Sequence, residues 1–426
     1  MATTRSTQAV RTGRITFFVA LAVFAQESTW NLYDAQVPPL LREHIGSAAI
    51  VGLLMGMDNL LGIFIQPWMG NRSDHTRTSW GRRMPYLVVG MPLAAVLFVA
   101  IPHTAGSLPL LILAMFSYAL VANSFKPIAE ALLPDFIPPE RRSRANAVLK
   151  IASSLTVMVS ALISIFLIDD HPDAAFVVPA VLMVAALVVP AVKIRDSTSP
   201  AYRTAIEEDR GHGAAAVSAE RVRVRHIVLG ILRDPDHSRL LLLVAILLFG
   251  GAWAASRSLI TPYGMEALHM SRGEAGGLTL PSGVAFIVAA YPVALLAERF
   301  GRLRLMIAGM SVFVAGTVLG TVVQTPAGAV VALCVVAVGA ASFLVNASVV
   351  LWNLAPSDRV VGTYTGLYTV GWASGGFLGP AVVGGMVDVT GWPLMLLDVA
   401  VLATAAVLAV ARLQMLHRRS ATAAAL

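Results

Sequence analysis

Glu27, Trp30, Asn31 and Asp34 recur at i, i+3, i+4 and i+7, so a helix through them carries one polar stripe of carboxylate, indole, amide and carboxylate. A second stripe, Asn123, Lys126 and Glu130, recurs at i, i+3 and i+7, and its last two members are i, i+4 ion-pair partners. Asp58-Asn59, Arg257 and Asp398 add further polar groups inside long apolar runs. An ionisable group near the centre of a membrane helix costs about 2.5–3.5 kcal/mol on insertion scales, so each of these groups needs a reason to be there. Two readings stay open. In one, Glu27, Asp34, Asp58 and Glu130 are sites for a coupled proton, with Lys126 and Arg257 as charge partners. Burial favours the neutral form of a carboxylate and a nearby cation the charged form, so a moving cation would switch proton affinity. In the other, Lys126–Glu130 and Arg257–Asp398 are static pairs that hold helices together.

Aromatic faces and amides suited to a hydroxylated ligand occur at Trp30, Asn31, Asn123, Asn346, Tyr368 and Trp372, the last two i, i+4 on one helix. Tyr291 and Asn353 belong to the same wider set, whereas Trp352 and Tyr364 fall where interfacial aromatic belts are ordinary. Gly371, Gly375, Gly376 and Gly379 suit close helix packing. No catalytic constellation is present. The nine histidines are scattered without metal-ligand spacing, Cys334 is the single cysteine, and neither a phosphate-binding loop nor a nucleophile elbow occurs. No enzyme, metal or cofactor is expected.

The elements that must position these groups are membrane helices. The chain of 426 residues is 57% hydrophobic and 13% charged, with a mean hydropathy of +0.75. Soluble domains are about 45–50% apolar and roughly 25% charged, so an ordinary soluble enzyme is excluded, and so is a disordered chain. Twelve apolar runs of spanning length stand near 15–37, 48–70, 84–102, 108–132, 145–168, 174–194, 238–262, 274–297, 303–323, 328–353, 364–387 and 392–412. Their length and lack of alternation exclude barrel strands. The first run has no small-residue cleavage site after it and reads as a retained span. Arginine crowds the terminal side of the runs, at 72, 77, 82, 83, 141, 142, 144, 299, 302, 304, 412, 418 and 419, which puts both termini in the cytoplasm. The net charge of +7 is therefore a topology signal, and no nucleic-acid partner is expected.

Residues 1–194 and 238–426 each hold six runs, and 195–237 form a basic linker in which Ser218–Arg233 has amphipathic periodicity. A helix lying on the membrane surface is preferred there to a regulatory partner site. The halves repeat. Pro39-Leu-Leu-Arg-Glu43 parallels Pro262-Tyr-Gly-Met-Glu266, Gly81-Arg82 parallels Gly301-Arg302, and Pro139-Glu-Arg-Arg-Ser143 parallels the stretch Pro356–Gly362, in order and at nearly constant offset. The expected fold is an all-α integral membrane protein, twelve transmembrane helices in two parallel-repeat six-helix bundles.

The loop after the second run reads Gln66-Pro67-Trp-Met-Gly70-Asn-Arg-Ser73-Asp74-His-Thr-Arg-Thr-Ser79-Trp80-Gly81-Arg82-Arg83-Met-Pro85. Gly70 allows close helix approach, and Asp74 can accept from an arginine or suit a helix N-terminus. Gly70, Asp74, Gly81, Arg82 and Arg83 then form a latch that opens and closes one side; packing alone is the competing reading. This loop resembles the major facilitator motif between spans 2 and 3, in the lengthened form typical of the sucrose-transporter and solute-carrier-45 lineage of the glycoside–pentoside–hexuronide cation symporters. Ala122-Asn123 and Leu132-Leu133-Pro134-Asp135 resemble elements of plant sucrose carriers. Leu120 and Val121 stand where those carriers place an acid, and Gln66 and Gly62 stand where melibiose-type symporters place sodium-site acids. The resemblance implies a sugar transporter, for a disaccharide or other glycoside, in the cell membrane, working as a monomer by alternating access; the coupling to a proton is read from the chain's own buried charges. A proton-driven exporter of drugs or metabolites is the alternative.

Overall fold

The computed structural model describes residues 2–137, 139–200, 202, 203, 206, 237–354 and 361–425. The proposed amphipathic stretch Ser218–Arg233 and Arg359 lie outside the described residues. Fifteen α-helices follow in order among the described residues: α1 (Ala2–Glu27), α2 (Trp30–Arg42), α3 (Ala48–Asp74), α4 (Met84–His103), α5 (Leu108–Phe136), α6 (Pro139–Leu167), α7 (Pro172–Lys193), α8 (Ser238–Ser258), α9 (Ile260–Glu266), α10 (Arg272–Gly277), α11 (Thr279–Phe300), α12 (Arg302–Val322), α13 (Pro326–Asn353), α14 (Val361–Thr390) and α15 (Met395–Ala425). No strand occurs among the described residues, as the apolar runs predict. Ten of the helical segments are long and apolar enough to cross a membrane. The first run is divided between α1 and α2, and the fifth lies in α6, whose described apolar part is Ile151–Leu167.

The break between α1 and α2 has a local cause. Ser28 Oγ donates back to the Phe24 carbonyl at 2.7 Å, and the Thr29 hydroxyl accepts from Tyr118 at 2.7 Å. Short hydroxyl side chains that bond the preceding turn bend helices, and a buried tertiary partner fixes the bend.

The chain forms two compact units. The first comprises Met1–Tyr33 and Phe64–Glu220. In it α1 packs on α5, α6 and α7, and α4 on α5 and α7. Its core is a run of rings, Trp30 to Tyr118 at 5.4 Å, Tyr118 to Phe98 at 5.3 Å and Phe98 to Phe176 at 5.1 Å. Such offset pairs add about 0.5–1.5 kcal/mol each beyond their buried area.

The second unit comprises Asp34–Ile63 and Arg221–Leu426. Here α8 packs on α14 and α15, α12 on α13 and α15, and α11 on α13. Phe249, Phe313 and Phe343 form its aromatic centre, with centroids 5.0 and 4.5 Å apart. Helix α14 is approached on both flanks by backbone. Gly379 and Gly375 abut Gly251 and Leu247 of α8, while Gly52 and Gly56 of α3 abut the Pro380 and Phe377 carbonyls. Small residues permit such approach between membrane helices, so the glycine-rich eleventh run packs as its composition predicts.

Candidate functional site

In the first unit the α1–α2 break sets a polar cluster against α5. Lys126 Nζ lies 3.9 Å from Glu27 Oε1 and 5.7 Å from the centre of the Trp30 ring. Both charged side chains are mostly enclosed, Glu27 being 19% and Lys126 32% exposed. Trp30 is itself buried against Tyr33 and Tyr118, with its indole N–H enclosed and without a hydrogen-bond partner. Asn31 donates to Thr156 of α6 at 2.8 Å, and Gln66 of α3 donates to Asn123 at 2.7 Å. Gln26, fully buried one residue before Glu27, has neither amide atom partnered. A carboxylate, a cation, an aromatic face and several amides thus share one region, beside a helix discontinuity at Ser28 and Thr29. Membrane carriers build binding sites from broken helices of this kind.

Lys126 does not pair with Glu130, as the i, i+4 spacing led one to expect. Glu130 is exposed, and the ammonium reaches across to α1, where a carboxylate and an indole face both attract it. The Arg257–Asp398 pair is also corrected: Asp398 is buried and accepts from Thr390 at 2.7 Å, while Arg257 lies over Trp253 at 5.7 Å. The remaining expected residues fall in the second unit. Asp34 and Asp58 are half-buried, and Asp58 accepts from Asn59 at 2.9 Å. Asn346 is buried and donates to the Ser342 carbonyl at 2.8 Å. Tyr368 and Trp372 stack with centroids 6.4 Å apart and planes at 12°. Tyr291 is exposed, and Tyr364 is buried.

At the arginine-rich end of the first unit, the loop between α3 and α4 folds around two buried carboxylates. Arg82 grips Asp135 through Nη2 at 2.6 Å and Nε at 3.2 Å. Arg83 reaches the same carboxylate at 3.0 Å, Asp74 at 2.6 Å, and the Ser73 hydroxyl. Acceptance by Asp135 and Asp74 holds the Arg83 guanidinium above its ordinary value, although burial opposes this most strongly. Beneath the loop, Asp196 is fully buried and accepts from the backbone N–H of Arg83 at 2.5 Å, so it occupies the N-terminus of α4. The helix-terminus role expected of Asp74 therefore belongs to Asp196. The close approach expected at Gly70 is also corrected: a Cβ there would meet no described atom within 4 Å, and its carbonyl accepts from Ser73 instead.

Gly81 has φ +103°, and a Cβ would sit 2.5 Å from an Asp196 carboxylate oxygen. Gly81→Ala combines left-handed strain of about 1–3 kcal/mol with that clash. A fall in melting temperature of several degrees is expected, and an unchanged melting curve would refute this account of the turn. Asp196 has a second expected signature. Burial pushes its carboxyl above the ordinary range and neighbouring Asp135 adds to this, while N–H groups of Arg83, Arg82 and Met84 pull it back. A carboxyl whose folded value is raised contributes stability that is fully present below its unfolded value and is lost as pH rises through the folded one. The melting-temperature advantage of the parent over Asp196→Asn should accordingly grow as pH is lowered from 7 towards 4; parallel profiles would exclude the effect.

The model of the Major Facilitator Superfamily matches residues 19–285 and 242–424. The chain belongs to this superfamily. Its fold is similar to that of a bacterial homologue of the human lysosomal transporter Spinster, at 13% identity with a TM-score of 0.70, covering 95% of this chain and 97% of that one. It is also similar to a nucleoside transporter, NupG, at 13% identity with a TM-score of 0.72, covering 94% and 99%. A peptide transporter, POT, aligns at 15% identity with a TM-score of 0.70, covering 95% and 94%. A short segment of 69 residues is 32% identical to the Membrane-associated transporter protein of Homo sapiens, and takes in 16% of this chain and 13% of that protein's length. As a superfamily member the chain is a multi-pass membrane transporter of small molecules and not an enzyme.

Asp196 and Thr156 are site residues that residue spacing does not single out. Asp135 enters only through a motif. Asp196 stands 113 residues from the arginine it serves, and no periodic pattern links positions so far apart. The signal that could have found it is its place, an acid just past the end of an apolar run on the arginine-rich side.

Proposed function

We propose that this transporter moves a sugar together with a proton by alternating access. The observation that carries the reading is the Glu27–Lys126 contact of 3.9 Å beside the buried face of Trp30. When Glu27 takes a proton, its charge no longer attracts Lys126, and the ammonium can turn towards another acceptor such as a sugar hydroxyl. When the proton leaves, Lys126 returns and the sugar loses a partner. Trp30 offers an apolar face for a pyranose, and Asn31 and Asn123 offer amides once their present partners, Thr156 and Gln66, exchange for hydroxyls. Asn346, Tyr368 and Trp372 are the proposed contributions of the second half, with Asp34, Asp58 and Glu130 as further proton sites and Arg257 as a second charge partner.

The proposed organisation is residues 1–194 and 238–426 as six-span halves joined by the linker 195–237. The Gly70–Arg83 loop acts as the cytoplasmic latch. The protein resides in the cell membrane as a monomer with both termini in the cytoplasm, in keeping with the arginine asymmetry. The test is external pH in proteoliposomes on addition of sucrose, maltose or glucose. Alkalinisation evoked by one of these sugars is the expected result. A folded preparation that responds to none of them, yet is stabilised by amphipathic cations, would replace this reading with a drug or metabolite exporter.

A further inference from the structure

The loop between α11 and α12 repeats that between α3 and α4, but without its anions among the described residues. Gly301-Arg302 corresponds to Gly81-Arg82, and the two glycines share a left-handed conformation, φ +89° and +103°. In the first unit Asp135, at the end of α5, pairs with both arginine side chains, and Asp196, after α7, accepts from the Arg83 backbone N–H. The residues 218 positions later are Asn353, at the end of α13, and Gln414, within α15, both uncharged. Where a Cβ on Gly81 would strike the Asp196 carboxylate, one on Gly301 would meet nothing within 4 Å. The space is a cavity of about 510 Å³, lined by Arg302, Arg304, His417 and Arg418 together with Asn353 and Gln414. No carboxylate is among its described lining residues.

We infer that this cleft binds the phosphate headgroup of an anionic phospholipid, which supplies from outside the charge that Asp135 supplies within the first unit. Two features favour a lipid. The cleft lies where membrane helices end, so a headgroup reaches it without leaving the bilayer surface. Its cationic groups are joined by Phe300, Leu303 and Leu354, which suit the first carbons of an acyl chain. Basic pockets between helix ends recognise anionic headgroups by this combination. The start of α12 also presents unbonded N–H groups to a phosphate.

Native mass spectrometry of the purified full chain tests this with dioleoyl phosphatidylglycerol, dioleoyl phosphatidylcholine and inorganic phosphate. Each arginine near a phosphate is worth about a fivefold change in affinity. Phosphatidylglycerol should therefore bind at least about tenfold more tightly than phosphatidylcholine. Arg302→Gln/Arg304→Gln should remove the preference and Arg302→Lys/Arg304→Lys should keep most of it. Arg299→Gln, which removes a charge outside the cleft lining, should leave it intact. Equal loss in Arg299→Gln would reduce the effect to general surface charge. Competition by inorganic phosphate at equal concentration would assign the cleft to a free anion, and equal binding of the two lipids would overturn the proposal.

Discussion

Glu27→Gln should abolish sugar-evoked proton uptake while leaving exchange of sugar across the membrane. The glutamine keeps the shape of the side chain and its hydrogen-bonding oxygen but cannot carry a proton. It also removes the carboxylate charge that faces Lys126. Both groups are mostly enclosed, so their contact falls between exposed pairs, worth about 0–1 kcal/mol, and buried ones, where loss of one partner costs about 3–5 kcal/mol. A change of roughly 1–3 kcal/mol is a factor of about 5–150. Proton flux should thus fall to background, and the concentration of sugar giving half-maximal exchange should shift within that range. Proton uptake that persists in this variant would move the coupling role to Asp34, Asp58 or Glu130. Loss of exchange as well would make Glu27 a sugar ligand or a structural residue.

Asp388→Ala has the second large expected effect. In the second unit this carboxylate, from the end of α14, caps the start of α3 by accepting from the Ser47 hydroxyl at 2.5 Å and from the N–H groups of Ala48 at 2.6 Å and Ala49 at 3.1 Å. The cap is flanked by Arg42–Glu266 at 3.0 Å and by Arg272, which donates to the Gln36 side chain at 2.8 Å and carbonyl at 2.7 Å. Removing an N-cap costs about 0.5–2 kcal/mol, and leaving charge-assisted donors unmet adds about 1–3 kcal/mol. A total of about 2–4 kcal/mol corresponds to faster amide exchange by a factor of about 30–1,000. Hydrogen exchange should show this over residues 48–51, with α15 unchanged as internal control. Unchanged exchange at Ala48 and Ala49 would mean that Ser47, which also accepts from the Ile50 N–H at 3.3 Å, suffices as a cap.

The apolar runs made the helical architecture legible because hydrocarbon admits few alternatives: every backbone group must be satisfied within its own segment. The glycine pattern of the eleventh run announced close packing for the same reason, since few other uses exist for so many small residues in a membrane helix. What stayed hidden depended on partners distant in sequence. Lys126 had a local partner by spacing, Glu130, and a distant one, Glu27, and the enclosed carboxylate beside an aromatic face attracts it more than an exposed one. The α1–α2 break was unreadable because Ser28 and Thr29 are tolerated inside helices and only the Tyr118 hydroxyl fixes the bend. Gly81 is legible as a member of the latch motif, but its conformational necessity is set by a carboxylate beyond α7.

The contact between α8 and α14 is made almost wholly of backbone at Gly251, Gly375 and Gly379. Contacts made by long side chains freeze rotamers when they form, with losses of up to about 1.5–2 kcal/mol per residue. A glycine seam has none to freeze or release. Its gain on closing is dispersion and weak Cα–H···O attraction. The seam is therefore cheap in side-chain entropy and steep in its penalty for any added atom.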